Sequence, residues 1–346
     1  MLQGARCIVA LDVLTGEEKW TYRTERIAQK THKSSIGVQQ WGPSGSPIWN
    51  SPAVDAKRGL IYFGTGENLS VPATGNSDAI MALDMKTGER RWVFQATAND
   101  VFNNGCMGIY WGRTSGPNCP EEMGVDHDFG GQVMIVTLPG GKDVLISGQK
   151  SGTVWALDPD AGGKLVWSTS LSEGTPSGGI HWGIAYDGER VIVPINDPNM
   201  SPLSQMLKPA LHALDPANGD IIWTVPMEPS CEFSPEQAAA EQAEGKPQSC
   251  HPYYGLSAAP TVSGEVVFVG NLEGMFRAYE TATGKLLWQR NTNIPVQGIN
   301  GVEGHGGAID NNGTLISGGR VYIQSGYGMF GQLPGNVLLH YTLDGK

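Results

Sequence analysis

The sequence predicts an all-β chain of repeated four-stranded antiparallel blades packed radially as a propeller. Three observations predict it: a recurring Ala-Leu-Asp phrase that closes on Gly and Trp, short apolar runs ending at turn residues, and no sustained helical stripe. The phrase occurs at Ala10-Leu11-Asp12 with Gly16 and Trp20, and again at Ala82-Leu83-Asp84 with Gly88 and Trp92. It returns at Ala156-Leu157-Asp158 with Gly163 and Trp167, and at Ala213-Leu214-Asp215 with Gly219 and Trp223. A degenerate fifth copy is Ala278-Tyr279-Glu280 with Gly284 and Trp288. The tryptophans lie 72, 75, 56 and 65 residues apart, room for one four-stranded unit plus loops in each interval.

Each copy reads as a strand, an Asp-initiated turn closed at Gly, and a second strand carrying the aromatic. Further strands are expected at Gly59 to Gly64, Val133 to Val136, Arg190 to Val193, Glu265 to Val269 and Arg320 to Ile323, nearly all ending at Gly, Pro or Asn. The Ala/Glu-rich run from Pro235 to Gly245 is a surface excursion with little helix. Radial packing puts the chemistry in the loops and the central channel. The phrases run from residue 10 to residue 288, which favours one propeller domain over 1–346.

The 48 glycines and 22 prolines suit many tight turns, and 40% hydrophobic content is ample for a core. A net charge of −11, with only 23 Lys and Arg, argues against nucleic acid as a partner. No apolar segment is long enough to span a membrane, and the first residues lack a signal-peptide apolar region. The first phrase starts abruptly and the last repeat, Gly319 to Lys346, has no closing tryptophan. Five or six blades of an incomplete ring are therefore expected, with preceding blades absent; closure of the C-terminal sheet by N-terminal strands is the alternative. Five cysteines suggest the local pairs Cys106 with Cys119 and Cys231 with Cys250, leaving Cys7 over. Such pairs favour an oxidising compartment over a cytosol with five isolated thiols.

The phrases, together with Gly148-Gln149-Lys150-Ser151-Gly152 and Gly179-Ile180-His181-Trp182-Gly183, resemble the pyrroloquinoline-quinone (PQQ) dependent alcohol dehydrogenases. Gln40-Trp41-Gly42-Pro43-Ser44-Gly45, Asp55 to Leu60, Asp128-Phe129-Gly130 and Gly326 to Leu339 are particularly similar to the polyvinyl-alcohol dehydrogenase-like branch. The resemblance covers essentially the whole chain. It implies a quinoprotein-type, eight-bladed, exported and periplasmic propeller, with PQQ on its axis beside Ca2+. It also implies oxidation of a primary, secondary or polymeric alcohol, with electrons passing to cytochrome c or another acceptor. No Cys-x-x-Cys-His occurs, so any haem lies elsewhere. By the same resemblance the family's adjacent-cysteine disulfide and an early acidic metal ligand would precede residue 1.

A flat, tricarboxylate quinone needs an aromatic floor, polar edge partners and a cation at its reactive carbonyl. The resemblance makes Trp49 the floor, with a blade-core tryptophan as the alternative, and treats the five phrase tryptophans as packing between sheets. Glu67 falls where many members have an Asn metal ligand and offers hard oxygen donors. Asn103 takes the position of the catalytic Asp in better-known members; its amide can bind calcium but cannot take a proton. Asp100 is the nearest carboxylate on that loop, a candidate base or a turn former. Lys150 corresponds to the family's basic residue beside the quinone oxygens. His181 and Trp182 would complete the cofactor wall. Asp126 and Asp128 read as turn acids with a structural role. The competing class is a non-catalytic propeller, a binding or assembly scaffold, or an inactive part of the enzyme; convergence of Trp49, Glu67, Asn103 and Lys150 in one channel would separate them.

Overall fold

The computed structural model describes residues 7–108, 116–196, 209–229, 254–329 and 331–342. Its two compact units are Met1–Ser170 with Gly174–Pro176, and Leu171–Glu173 with Ser177–Lys346. Both are built from small antiparallel sheets, the all-β, propeller-type arrangement the sequence predicts. The first unit has two four-stranded sheets. One comprises Ala53–Asp55, Leu60–Gly64, Ala79–Asp84 and Arg90–Gln95; the other comprises Met134–Thr137, Asp143–Gly148, Thr153–Asp158 and Lys164–Ser170. Smaller pairs join Cys7–Leu11 to Glu18–Arg23, Gln29–Lys33 to Gln39–Gly42, and Ser44–Gly45 to Asn68–Ser70. The second unit has four-stranded sheets over 185–226 and 261–291, a pair over 295–305 and three strands over 315–341. Among the described residues the one helical element is a 3-10 turn, Asn104–Cys106.

The four Asp-containing copies of the phrase share one physical cause. Asp Oδ1 accepts backbone N–H groups two or three residues on, from Leu14 and Thr15 at Asp12, Lys86 and Thr87 at Asp84, and Asp160 and Ala161 at Asp158. The phrase alanine then lies cross-strand from the phrase tryptophan: Ala10 from Trp20, Ala82 from Trp92, Ala156 from Trp167, Ala213 from Trp223, Ala278 from Trp288. A small residue opposite a large one leaves the indole free to reach the next sheet. There it meets the glycine of the following phrase. A Cβ on Gly88 would sit 2.5 Å from the Trp20 ring, one on Gly163 2.5 Å from Trp92, and one on Gly284 2.9 Å from Trp223. These glycines also hold φ of 70°, 77° and 72°, where L side chains are strained.

Successive residues of the central strands face opposite cores, which makes those strands apolar throughout instead of alternating. Tyr62, Ile80 and Ala82 pack with Phe129, Leu145 and Leu157 on one side of the 53–95 sheet. Ile61, Phe63, Met81 and Leu83 pack with Trp20 and Tyr22 on the other. In the second unit Ile192, Leu211, Val267 and Val269 form one core, and Phe276, Ile309 and Ile323 another. The expected Cys106–Cys119 disulfide is present, and Cys7 is free and exposed. Cys231, Cys250 and the 235–245 run lie outside the described residues. A disulfide is consistent with a non-cytoplasmic location. No helix among the described residues is long and apolar enough to cross a membrane.

Gly163→Ala combines a left-handed φ with a collision against the Trp92 ring, so we expect it to lower unfolding free energy by about 2 kcal/mol or more, read by urea denaturation. His212 supplies a pH effect. It is buried in the strand Ala210–Leu214 with Nδ1 3.0 Å from Thr224 Oγ1, and burial pushes its pKa down to about 4. The folded chain keeps it neutral while the unfolded chain protonates below its ordinary value of 6.5. Its contribution is thus full above that value and lost as pH falls towards 4, a change on the order of 2–3 kcal/mol. His212→Gln should remove that part of the acid sensitivity, seen by comparing denaturation midpoints at about pH 7 and about pH 4.5.

Candidate functional site: a buried lysine in an acid cluster

Four separate segments of the first unit meet at one buried point. The first, before the strand Ala53–Asp55, carries Trp49; the adjacent Asn50 fixes it by donating to the carbonyls of Gly64 (3.0 Å) and Phe129 (2.7 Å). The second follows the strand Leu60–Gly64 and carries Glu67. The third runs through Asp126 and Asp128 into Phe129, whose side chain belongs to the blade core. Lys150 comes up from the turn between the strands Asp143–Gly148 and Thr153–Asp158. Its backbone N–H donates to the Asp128 carbonyl at 3.0 Å, which docks that turn against the third segment.

The Lys150 ammonium donates to Asp126 Oδ1 and Asp128 Oδ2, each at 2.9 Å, and its side chain is 7% exposed. Trp49 Nε1 donates to Asp128 Oδ2 at 3.1 Å, and the ammonium stands 5.5 Å from the Trp49 ring centre, a cation–π distance. Glu67 N–H donates to Asp128 Oδ1 at 3.0 Å. Gly66 makes that approach feasible, because a Cβ there would lie 2.3 Å from Asp128 Oδ1. Carboxylate oxygens of Glu67, Asp126 and Asp128 all fall within 4.8 Å of one another, and all three residues are buried.

Electrostatics separates the three acids. Burial opposes ionisation of Asp128, but the Lys150 charge and the hydrogen bonds it accepts hold it below the ordinary carboxylate range. Burial raises Asp126 despite Lys150, with Asp128 adding to the rise. Glu67 is raised most by burial, then by the charges of Asp128 and Asp126. Burial also opposes the Lys150 charge, yet Asp128 and Asp126 lift it above its usual value. One ammonium therefore serves three carboxyls. A hard divalent cation placed among these oxygens would supply the remaining charge, and oxygen donors at this spacing are the set calcium takes.

Trp49, Glu67 and Lys150, singled out from the sequence, are brought together here. Asp126 and Asp128, read from the sequence as structural turn acids, complete the group. Their signal was a two-residue spacing shared by many turns, and only the partner Lys150, more than twenty residues on, distinguishes them. Asp100 is 1% exposed, with Oδ2 accepting from the His127 backbone at 3.0 Å. Asn103 caps the 3-10 turn: its Oδ1 accepts from Gly105 N–H at 2.9 Å and its amide donates to the Leu69 carbonyl at 3.4 Å. Its described hydrogen bonds are to these neighbours and not to the acid group. His181 and Trp182 belong to the second unit. There Asp310 Oδ1 accepts from Trp182 Nε1 at 2.5 Å and Ser257 Oγ at 2.6 Å, and Ser257 Oγ lies 2.7 Å from His181 Nδ1. Gln332 donates to Asp310 Oδ2 at 2.8 Å. Lys150→Met would leave two buried carboxylates facing each other without their cation, so we expect a loss of about 3 kcal/mol in urea denaturation at neutral pH.

Comparison with known proteins follows the same lines. A family model described as glucose/ethanol/alcohol dehydrogenase, beta-propeller domain, matches residues 4–105, and one described as outer membrane protein assembly factor BamB matches 207–343. A polyvinylalcohol dehydrogenase from Pseudomonas sp. is 36% identical over 349 residues, covering 98% of this chain and 51% of that protein. A second, from Sphingopyxis sp., is 35% identical over 351 residues with the same coverage. The chain thus spans about half the length of these curated relatives. Among solved structures, quinohemoprotein alcohol dehydrogenase from Comamonas testosteroni superposes with a TM-score of 0.58 at 18% identity, over 98% of this chain and 56% of that one. A europium-containing methanol dehydrogenase gives 0.58 at 15%, over 95% and 62%. The blades, the phrases and these relatives together make the chain a member of the PQQ-dependent quinoprotein family of alcohol and polyvinyl-alcohol dehydrogenase-like proteins.

Proposed function

We propose that the first unit holds PQQ and calcium at Trp49, Glu67, Asp126, Asp128 and Lys150 for the oxidation of an alcohol. The observation that carries this reading is the set of three buried carboxylates with oxygens within 4.8 Å, flanked by an ammonium and an indole. These residues fit the groups: hard oxygens for the cation, a flat ring for stacking, and a fixed positive charge for anionic quinone oxygens. When bound, the quinone supplies a two-electron acceptor for hydride from the alcohol carbon, and the cation supplies Lewis acidity.

The chain's own residues do the rest. Trp49 forms the floor, its indole oriented by the bond to Asp128 Oδ2. Glu67 and Asp128 hold the cation. Asp126, raised by burial, takes the alcohol's hydroxyl proton on its carboxylate once held ionised by Lys150 and the bound cation. Lys150 keeps Asp126 and Asp128 in place and stabilises negative charge that develops beside it. In this reading the base is Asp126 and not Asp100, whose Oδ2 accepts from the His127 backbone outside the acid group. Electrons leave to a cytochrome-type acceptor, and the protein works in the periplasm. A secondary, polymeric alcohol is the substrate we favour, because the relatives at 36% and 35% identity are named for polyvinyl alcohol. The second reading, a binding or assembly scaffold, is favoured by the match of residues 207–343 to the assembly-factor model.

Titration of the chain with PQQ and calcium chloride, followed by tryptophan fluorescence and dye-linked oxidation of secondary alcohols, decides between them. We expect calcium-dependent quenching, weakened about tenfold or more by Trp49→Ala, and turnover reduced by about a hundredfold or more in Asp126→Asn. A chain that binds no PQQ in the presence of calcium rejects the enzymatic reading and leaves the scaffold.

A further inference from the structure

The oxygens of Glu67, Asp126 and Asp128 converge from two chain segments, and ligands from separate segments, here Glu67 and Asp128, bind a cation well only when their spacing is held fixed. We infer that Asp100 is the positioning residue that fixes this spacing, an inference that rests on the cation reading above. Its carbonyl oxygen accepts the backbone N–H of Asn68, the neighbour of Glu67, at 3.0 Å. Its Oδ2 accepts the backbone N–H of His127, the residue between the two aspartates, at 3.0 Å. One residue therefore ties both ligand segments to itself.

Asp100 is in turn held. Phe102 N–H donates to the Asn68 carbonyl at 2.9 Å and Gly124 N–H to the Val101 carbonyl at 2.8 Å, so the Glu67 segment and the chain just before Asp126 are both laced to the 100–102 stretch. Residue 124 has to be glycine, since a Cβ there would lie 1.9 Å from Asp100 Oδ1. Asp126 has a φ of 58°, a backbone conformation that L residues seldom adopt and that persists where surrounding contacts enforce it. The His127 N–H bond to Asp100 is the contact next to that strained residue. Asp100 itself is 1% exposed and directs its Oδ2 at backbone, so it acts through the ligands.

Two conservative substitutions separate position from charge. Asp100→Asn keeps an acceptor oxygen in place and removes the charge; Asp100→Glu keeps the charge and displaces the acceptor by one methylene. Calcium chloride binding is measured by calorimetry and backbone protection over 66–69 and 124–128 by amide hydrogen exchange, with folding of each variant checked by circular dichroism. We expect D100N to bind calcium within about threefold of the native chain and D100E to bind it about tenfold or more weaker, with faster exchange over 124–128. D100E binding and exchanging like the native chain would overturn the inference, as would a tenfold loss in D100N; if D100E does not fold, D100N decides alone. If the native chain binds no calcium, the cation reading fails by itself. Exchange then judges Asp100, and native-like protection of 124–128 in D100E removes it as the positioning residue.

Discussion

The ammonium of Lys150 is the contact on which the rest of the candidate site depends. It sits among Asp126, Asp128 and Glu67 at 7% exposure, in an interior where an unpaired charge of either sign costs several kcal/mol. Its two bonds at 2.9 Å help to hold the Asp126–Asp128 segment. That segment then receives the Trp49 indole and the Glu67 N–H, so floor and acid cluster share one carboxylate, Asp128. Asp128 is held ionised by these donors while Glu67 and Asp126 are raised, and the division follows from geometry: Asp128 faces an ammonium, an indole N–H and a backbone N–H, whereas Glu67 faces other acids.

Blade construction leaves these segments free to carry chemistry. Within each unit Trp20, Trp92 and Trp223 reach the next sheet and lie on a glycine there, so those neighbouring blades are registered by side chains at one turn instead of by the loops at the other end of the strands. With both sheet faces buried, the strands tolerate few polar residues. Polar groups are concentrated where strands end, at Gly64 to Asn68 and at Gly148 to Ser151, and that is where the acid cluster forms.

This division explains what could be read from the chain. The phrases are local, each containing its cross-strand Ala–Trp pair and its positive-φ glycine, and all but the Glu280 copy an Asx turn, within about a dozen residues, so blade type and strand positions were legible. The Cys106–Cys119 pair was legible for the same reason. The site is assembled from segments far apart in the chain. Trp49, Glu67 and Lys150 were found because their positions match a family pattern, but Asp126 and Asp128 look like any Asp-rich turn until Lys150 is placed between them. Asn103 and Asp100 followed the pattern along one loop, yet that loop turns Asn103 into a helix cap and Asp100 towards the His127 backbone. A side chain's direction on the approach to a 3-10 turn is a three-dimensional fact that linear position does not carry.

The two units also offer an internal control on what a buried carboxylate means. Asp310 in the second unit is 2% exposed, as deeply buried as the acids of the first, but both its oxygens receive donors from its own unit: Ser257, Trp182 and Gln332. Burial raises it, and those bonds together with His181 more than offset that, so it stays ionised below its ordinary value. Nothing in that arrangement calls for a further charge. Glu67 is the opposite case, since burial and then the charges of Asp128 and Asp126 raise it, and Lys150 only partly compensates. A carboxyl satisfied by protein donors holds a fold together; one set against other carboxyls remains ionised only with external positive charge. On that physical distinction the proposed cation belongs with the cluster of the first unit, whereas the Asp310 network fixes side chains.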